Sequence, residues 1–590
     1  MTKRNRFILT AAVIFAILAI LLWYSQRKFR NQAVSQNQVV LVDSTSVFWY
    51  KNSIIYSLDV EVFKDSDGDG VGDFKGLISK LPYLDSLGIT AIWLSPFNST
   101  PNKDDGYDIT DYYSIDNRLG TLDDYSLFMQ NAKDLNIKII MDLVVNHTSN
   151  EHPWFKEAEE DTTSIYHKWY LWSKEQPENY DTGMIFPGVQ KETWTYDSIA
   201  KEYYYHRFYD FQPDLNMQYL PVQREVKKIM KYWLEKGVNG FRLDAVPFII
   251  EVPEKKGEKF EHQFDILTDL RKYVESIDKD AIILGEANVP PSENKNYFGE
   301  DVERMHMMFN FYVNQHMFYA LATGEAKPLA NALQSTKDIP KEAEWGQFLR
   351  NHDEVDLGRL TNMERKTVYK KFGPKKYMQL YDRGIRRRLA PMLNNNQDYL
   401  KLAYSLLFSL PSTPVMRYGD EIGMGDDLSL KERLAVRTPM QWNDTKNGGF
   451  STSDTVVRPV INSYPYDYED INVKDEAADS TSLLNWTKRM VQFRKDSPEI
   501  SYGKWEIIDT DSDNILAMHY IWNNKESLII HNLNNKSQEI SIASENIEAK
   551  RLKDLVGKKT FTSKNGSYNF KLEGYGFMWL KAKNTAKAKN

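Results

Sequence analysis

A chain of 590 residues is too long for one ordinary core and suits a large barrel with one or two smaller lobes. Its net charge of −7 argues against a polyanionic partner such as nucleic acid, and its lack of cysteine excludes disulfides, thiolate catalysis and Cys-ligated zinc. A hydrophobic fraction of 42% is enough for a globular core, and 14 Trp, 35 Tyr and 28 Phe offer ring faces that suit sugars, although composition alone assigns most of them to the core.

The chain starts unlike the rest. Lys3, Arg4 and Arg6 precede an uncharged apolar run over residues 7–24, and Arg27, Lys28 and Arg30 follow it. The run has about the minimum length that spans a bilayer, is apolar on every face, and is followed by basic residues instead of a cleavage site. Residues 1–30 are therefore expected to be a single uncleaved membrane anchor. Three basic residues on each side give the positive-inside rule little to act on. A short basic N-terminus held inside would put the body of the chain outside the cytoplasm, in a periplasmic or extracellular position. Residues 31–47 are polar and read as a linker.

An alternation of strand and helix then begins. Strands are expected over residues 54–63, 90–94, 137–145, 240–246, 281–285, 306–311, 347–350 and 414–418. Helices are expected over 77–87, 125–135, 222–236 and 263–277. Eight apolar strands separated by helices imply an α/β fold with a parallel sheet closed into a (β/α)8 TIM barrel over residues 48–497. The connection over about 147–214, rich in Trp, Tyr and Pro, is too long for a simple loop and reads as an inserted subdomain B. After 497 the pattern becomes strands with Asn-rich turns. Residues 515–522, Asn523-Asn524 and 527–533 form a predicted hairpin, and 498–583 a C-terminal antiparallel β-sandwich. Residues 584–590 are a tail.

The active site of such a barrel lies at the C-terminal ends of its strands. Those ends carry Asp142-Leu-Val-Val-Asn146-His147, Gly240-Phe-Arg242-Leu-Asp244, Gly285-Glu286 and Asn351-His352-Asp353. Any one of these groups could be a cap or an ion pair. Charged or imidazole groups after four buried strands together point to a site.

These four motifs, in this order and spacing, closely resemble those of the α-amylase superfamily, glycoside hydrolase family 13, over roughly residues 48–583. The resemblance implies a retaining α-glucan-active enzyme. Asp244 would be the nucleophile, Glu286 the general acid/base with a raised pKa, and Asp353 would hold sugar hydroxyls and distort the ring. Arg242, two residues before Asp244 on the same strand face, can keep it ionised. His147 and His352 would bond sugar hydroxyls. Asp104 and Tyr107 resemble the family's first-subsite residues, and Arg437 resembles the arginine that pairs with the Asp104-type carboxylate and closes the pocket.

Asp65-x-Asp67-x-Asp69-Gly-Val71-Gly-Asp73 is an oxygen-rich turn suited to Ca²⁺ and matches the calcium loop of this branch. The implied ligands are Asp65, Asp67, Asp69, the Val71 carbonyl and Asp73, with Asn146 serving a second calcium site.

Gln212-Pro-Asp214-Leu-Asn216 looks like the pentapeptide shared by α-glucosidases and trehalose synthases, while Gly384-Ile-Arg-Arg-Arg-Leu-Ala-Pro391 and Val436-Arg-Thr-Pro-Met-Gln-Trp442 look like the trehalose synthase branch, the maltose α-D-glucosyltransferases. That branch isomerises maltose to trehalose without releasing the glucosyl group to water. The segment Val-Asp-Leu-Gly-Arg359 after Glu354 departs from the branch's pattern near the outer pocket. Trp154, Trp169 and Trp172 are candidates for a water-excluding lid as well as for subdomain core. Two other readings stand beside this one. A membrane-anchored α-glucosidase would take maltose or short maltodextrins. A non-catalytic, transporter-heavy-chain-like protein is disfavoured by the intact carboxylates and by the missing cysteine.

Overall fold

The computed structural model describes residues 48–252 and 261–582. Eight short strands, β1 (Ile55–Leu58), β2 (Ala91–Leu94), β3 (Lys138–Leu143), β4 (Gly240–Leu243), β5 (Ile282–Gly285), β6 (Met307–Phe309), β7 (Glu344–Phe348) and β8 (Thr413–Arg417), form a closed barrel in chain order. Every neighbouring pair is parallel, including the closing pair of β1 with β8. Nearly every strand residue is buried, which is why the strands read as continuous apolar runs and not as alternating ones. At the start of β4 a Cβ on Gly240 would lie 2.7 Å from the Ile282 carbonyl, so this close strand approach requires glycine.

Helices pack outside the barrel and are capped by flanking polar residues. Asp73 caps α1 (Phe74–Leu87) by accepting from Gly76 N, and Gly88 ends it with φ 89°. Thr121 and Asp124 form a reciprocal capping box at α2 (Leu122–Asp134). The strand expected over 54–63 is shorter. It ends at Leu58, and Val60–Phe63 is a helical turn. Its apolar residues mimic a strand, but Asp59 and Glu61 are pulled to buried arginines, Arg417 and Arg458. That ion pairing ends the strand at the barrel's top.

The inserted lobe is rooted by antiparallel bridges between His147 and Asp214 and between Tyr170 and Leu215. It holds a helix (Pro153–Glu160), a 3-10 turn (Ile165–Trp169) and a three-stranded sheet in which Glu202–Tyr205 runs between Trp172–Ser173 and Trp194–Asp197. A second insertion, between β7 and β8, contains a helix (Asn362–Phe372) and a small sheet of its own. Sequence reading did not separate it from the barrel, because its strands are only two residues long.

The C-terminal strands are β9 (Lys504–Ile508), β10 (Ile515–Trp522), β11 (Lys525–Asn532), β12 (Gln538–Ala543), β13 (Arg551–Asp554), β14 (Thr560–Thr562), β15 (Ser567–Leu572) and β16 (Phe577–Ala582). Six form one sheet in the order 9-10-11-16-13-14, and β12 pairs with β15. Asn523 and Asn524 take φ 46° and 63° in the tight turn between β10 and β11, the left-handed conformation that asparagine tolerates. This domain has its own core around Leu528, Ile530, Tyr568 and Phe570.

The expected membrane anchor and extracytoplasmic location are corrected. Among the described residues no helix is long and apolar enough to cross a membrane. The apolar run and linker over 1–47, on which the expectation rested, lie outside the described residues, as does the tail.

Candidate active site

Strand register assembles the floor of the site. Asp142 lies opposite Arg242, and Leu243 opposite Gly285, so the next residues, Asp244 and Glu286, emerge side by side. Arg242 is 1% exposed and binds three carboxylates at once: Nη1 reaches Asp142 at 2.7 Å and Asp244 at 2.5 Å, and Nη2 reaches Glu286 at 2.7 Å. Ala245, directly after Asp244, adopts a left-handed conformation (φ 51°). That turn aims its N–H at Glu286 Oε2, 3.1 Å away. Such a backbone costs about 1–2 kcal/mol for a non-glycine residue and is held in place by the buried surroundings.

Tyr107 donates from its hydroxyl to Asp142 at 2.9 Å and lies 2.6 Å from His352 Nε2. Because the hydroxyl proton goes to Asp142, His352 Nε2 must carry its own proton. That N–H also faces Asp353 at 3.1 Å. His147 Nε2 contacts the Tyr107 carbonyl at 3.1 Å. The other ring nitrogens of His147 and His352 are buried without hydrogen-bond partners.

The electrostatics separate the carboxylates. Burial lifts the Glu286 carboxyl to about 7, with Asp244 and Asp353 adding to the rise and Arg242 opposing it. Burial lifts Asp244 to about 6, again against Arg242. Asp353 is as buried, yet His352, Arg433 and Arg437 hold it well below the usual carboxylate range. Burial also lowers His147 to about 4 and His352 well below its ordinary value, so both imidazoles are neutral at pH 7. The site thus offers an ionised carboxylate beside a carboxyl that stays protonated near neutrality, together with a firmly anionic third group.

These groups face a cavity of about 500 Å³, within the range of small-molecule sites. Asp104, Tyr107, His147, Asp244, Glu286, His352 and Asp353 line it. Arg242 and Arg437 lie behind the wall. The expected pairing of Arg437 with Asp104 is corrected: Arg437 binds Asp105 at 2.7 Å and Asp353 at 3.1 Å. Arg433 is the partner of Asp104, at 2.6 Å, and it also holds Asp353 at 2.8 Å. Arg433 lies four residues before Arg437, in the 3-10 turn Glu432–Val436 that Arg437 caps, and sequence reading missed it.

Three segments meet at the mouth: the inserted lobe, the β7–β8 insertion and the stretch after β8 that carries Glu432 and Arg433. Tyr209 of the inserted lobe and Tyr381 of the β7–β8 insertion both donate to Glu432, at 2.6 and 2.7 Å. Arg433 stacks over Phe186, and Gln212 donates to Asp104 at 3.0 Å. The divergent segment after Glu354 is built into this wall. Asp356 accepts from Asn288, Gln315 and the Gly358 N–H, and pairs with Arg383 at 2.6 Å. Arg383 also donates to the Ile185 carbonyl of the inserted lobe, 2.7 Å away. Trp154, Trp169 and Trp172 do not reach the cavity. They pack on Tyr112, Tyr166 and Phe155 inside the lobe, and the apolar wall is made by Phe186, Phe208, Phe248 and Phe311.

In the acidic loop, Asp65, Asp67 and Asp73 bring ligand oxygens within 4.8 Å of one another, the one such group among the described residues. Asp69 stands outside it, exposed, with Oδ1 taken by the Val71 N–H at 2.7 Å. The buried Asn146 lies at the root of the inserted lobe, where its carbonyl accepts from Leu215 N, away from this loop.

The α-amylase catalytic domain family matches residues 57–385 and 375–503, and the maltogenic amylase C-terminal domain family matches 505–579. A trehalose synthase of Pimelobacter sp. (strain R48) is 35% identical over 550 residues, covering 90% of this chain and 96% of that protein. A trehalose synthase of Thermus thermophilus is 37% identical over 534 residues, 90% of this chain and 55% of that protein. Among solved structures, an α-amylase from H. orenii superposes with a TM-score of 0.73 at 27% identity, covering 90% of this chain and all of that one. The trehalulose synthase MutB from Pseudomonas mesoacidophila MX-45 shares the fold with a TM-score of 0.72 at 23% identity, covering 91% and 99%. The chain therefore belongs to the α-amylase family, glycoside hydrolase family 13, and is a trehalose synthase-like enzyme.

Proposed function

We propose that the protein isomerises maltose to α,α-trehalose by intramolecular glucosyl transfer at Asp244. Two carboxyls held on one guanidinium suit a retaining double displacement, which needs them close together. Glu286 gives its proton to the glycosidic oxygen as the C1–O bond breaks, and Asp244 forms the glucosyl ester. The released glucose turns within the cavity. Its anomeric hydroxyl then attacks C1, giving its proton to Glu286 and freeing Asp244. Asp353, His147 and His352, which line the cavity, hold the hydroxyls of the transferred ring.

The observation that carries the isomerase reading is the clasped mouth. Glu432, Arg433 and Arg383 tie the inserted lobe to the β7–β8 side, and these ties narrow the route by which water could compete with the waiting glucose. Incubating the protein with maltose and separating the products tests this. Trehalose should dominate over glucose, and Asp244→Asn should give neither. Glucose as the sole product would replace isomerisation by maltose hydrolysis.

We further propose that Asp65, Asp67 and Asp73 hold Ca²⁺, with the Val71 carbonyl completing the set. The three carboxylates fit, since they are all oxygen donors close enough to share one cation. Asp73 also caps α1 and binds Ser66, so a bound ion would pin the loop after β1 to the helix behind it. The second calcium site at Asn146 has no such acidic group around it among the described residues.

A further inference from the structure

One buried arginine stands outside the chemistry described above. Arg458 is 6% exposed and does not line the cavity. Its guanidinium grips Asp105 with two nitrogens, Nη1 to Oδ2 at 3.0 Å and Nη2 to Oδ1 at 2.9 Å. Nη2 also binds Glu61. Its position follows from the chain on either side of the barrel top. Asp65 N–H donates to the Phe450 carbonyl at 3.1 Å, Ser451 Oγ to Asp65 Oδ2 at 2.5 Å, and Val457 N–H to the Gly70 carbonyl at 2.9 Å. A Cβ on Gly70 would lie 2.0 Å from the Thr455 carbonyl, so the two backbones lie as close as glycine permits. The segment that ends in Arg458 is therefore clamped along the acidic loop.

Asp105 links this arginine to the site. Asp104 and Tyr107 line the cavity, whereas Asp105, between them, does not. Asp105 takes a left-handed backbone, φ 57°, which a non-glycine residue keeps only where its surroundings enforce it. The enforcing contacts are Arg458 and Arg437, whose Nη1 reaches Asp105 at 2.7 Å. Burial opposes the charge on Asp105, yet Arg458, and after it Arg437, hold its carboxyl well below the usual range. The other arms of Arg437 go to the catalytic wall, Nε to the His352 carbonyl at 2.8 Å and Nη2 to Asp353 at 3.1 Å. Alternating charges thus run from Glu61 through Arg458, Asp105 and Arg437 to Asp353. While Arg458 satisfies Asp105, Arg437 can divide itself between Asp105 and Asp353. Without Arg458, the nearly buried Asp105 would draw Arg437 away.

We propose that Arg458 is a positioning residue for the sugar-binding wall: by satisfying Asp105 it fixes the Asp104–Tyr107 turn and leaves Arg437 to hold Asp353. The inference rests on the reading of Asp104 and Asp353 as groups that grip the transferred glucose ring. The test is calorimetric titration of the full chain with 1-deoxynojirimycin, a glucose-shaped iminosugar, alongside kcat and KM on maltose. Arg458→Gln should weaken iminosugar binding and raise KM by about tenfold each, with the binding stoichiometry unchanged. Arg458→Lys keeps the charge without the fork and should fall between Arg458→Gln and the parent. Asp105→Asn/Arg458→Gln removes the carboxylate that competes for Arg437, and should recover binding to within about threefold of the parent. These last two variants decide the matter even if Arg458→Gln does not fold. Fewer binding sites with unchanged constants would reduce Arg458 to a structural role and overturn the inference. So would a double variant that loses as much as Arg458→Gln, or Lys and Gln variants that bind as the parent does. A parent that binds the iminosugar but turns maltose only into glucose would sink the isomerase reading and leave this inference standing. A parent that does not bind it would overturn both.

Discussion

The floor and the mouth of the cavity are built by different means. On the floor, Asp244, Glu286 and Asp142 leave adjacent strands in fixed register and share one buried arginine, so their positions follow from the barrel. At the mouth, Arg433, Glu432, Tyr209, Tyr381 and Arg383 come from three separate segments and meet only through side-chain contacts. In this account the floor carries the chemistry, and the mouth decides which nucleophile completes it.

Substitutions on the floor should have the largest effect. Asp244→Asn should lower kcat on the order of 10⁴-fold with the thermal midpoint little changed, and Glu286→Gln should cost about 10²–10⁴-fold. An Asp244→Asn variant with near-parent turnover would remove the floor from the account. The floor also sets the pH dependence. Asp244, at about 6, must be ionised, so kcat/KM falls as pH drops through that value. Glu286, at about 7, must be protonated, so kcat/KM falls as pH rises past it. The profile should be a narrow bell with about tenfold loss per unit beyond each limb. A rate flat from pH 5 to 8 would contradict this pairing.

The mouth should respond differently. Arg433→Ala frees Asp104 and loosens Asp353, so it should lower kcat/KM about a hundredfold and raise the glucose share of the products. Phe186→Ala removes the ring beneath Arg433 and should leave maltose consumption within about tenfold while shifting products toward glucose. If these changes slowed turnover without altering the trehalose-to-glucose ratio, the division between floor and mouth would fail. The smallest effect belongs to the acidic loop, far from either region in role. Chelation should lower the thermal midpoint by a few degrees, and added Ca²⁺ should restore it; Asp65→Asn should abolish that response. A midpoint indifferent to calcium would remove the ion.

The same division explains what could be read from the chain. The floor was legible because each of its groups follows an apolar strand directly, and Arg242 stands two residues before Asp244. The barrel order and the 515–533 hairpin were legible for the same reason, since period and turn chemistry are local signals. The mouth was not legible. Nothing near Arg433 in sequence distinguishes it from Arg437, and which of the two meets Asp104 depends on how the 418–472 segment folds over the barrel. Trp154, Trp169 and Trp172 were open to a lid role but read more readily as subdomain core, and the core is where they pack. The apolar run at the N-terminus shows the opposite error. It led to a membrane anchor that no described helix supports.

The central claim is that the glucosyl group passes from Asp244 to the glucose released beside it, before that glucose leaves the cavity. Maltose turned over in a large excess of ¹³C-labelled free glucose tests this most directly, with the trehalose read by mass spectrometry. The account predicts unlabelled trehalose at all early times. Trehalose carrying label in proportion to the free glucose would show that the first glucose leaves and another enters, and would contradict the intramolecular route.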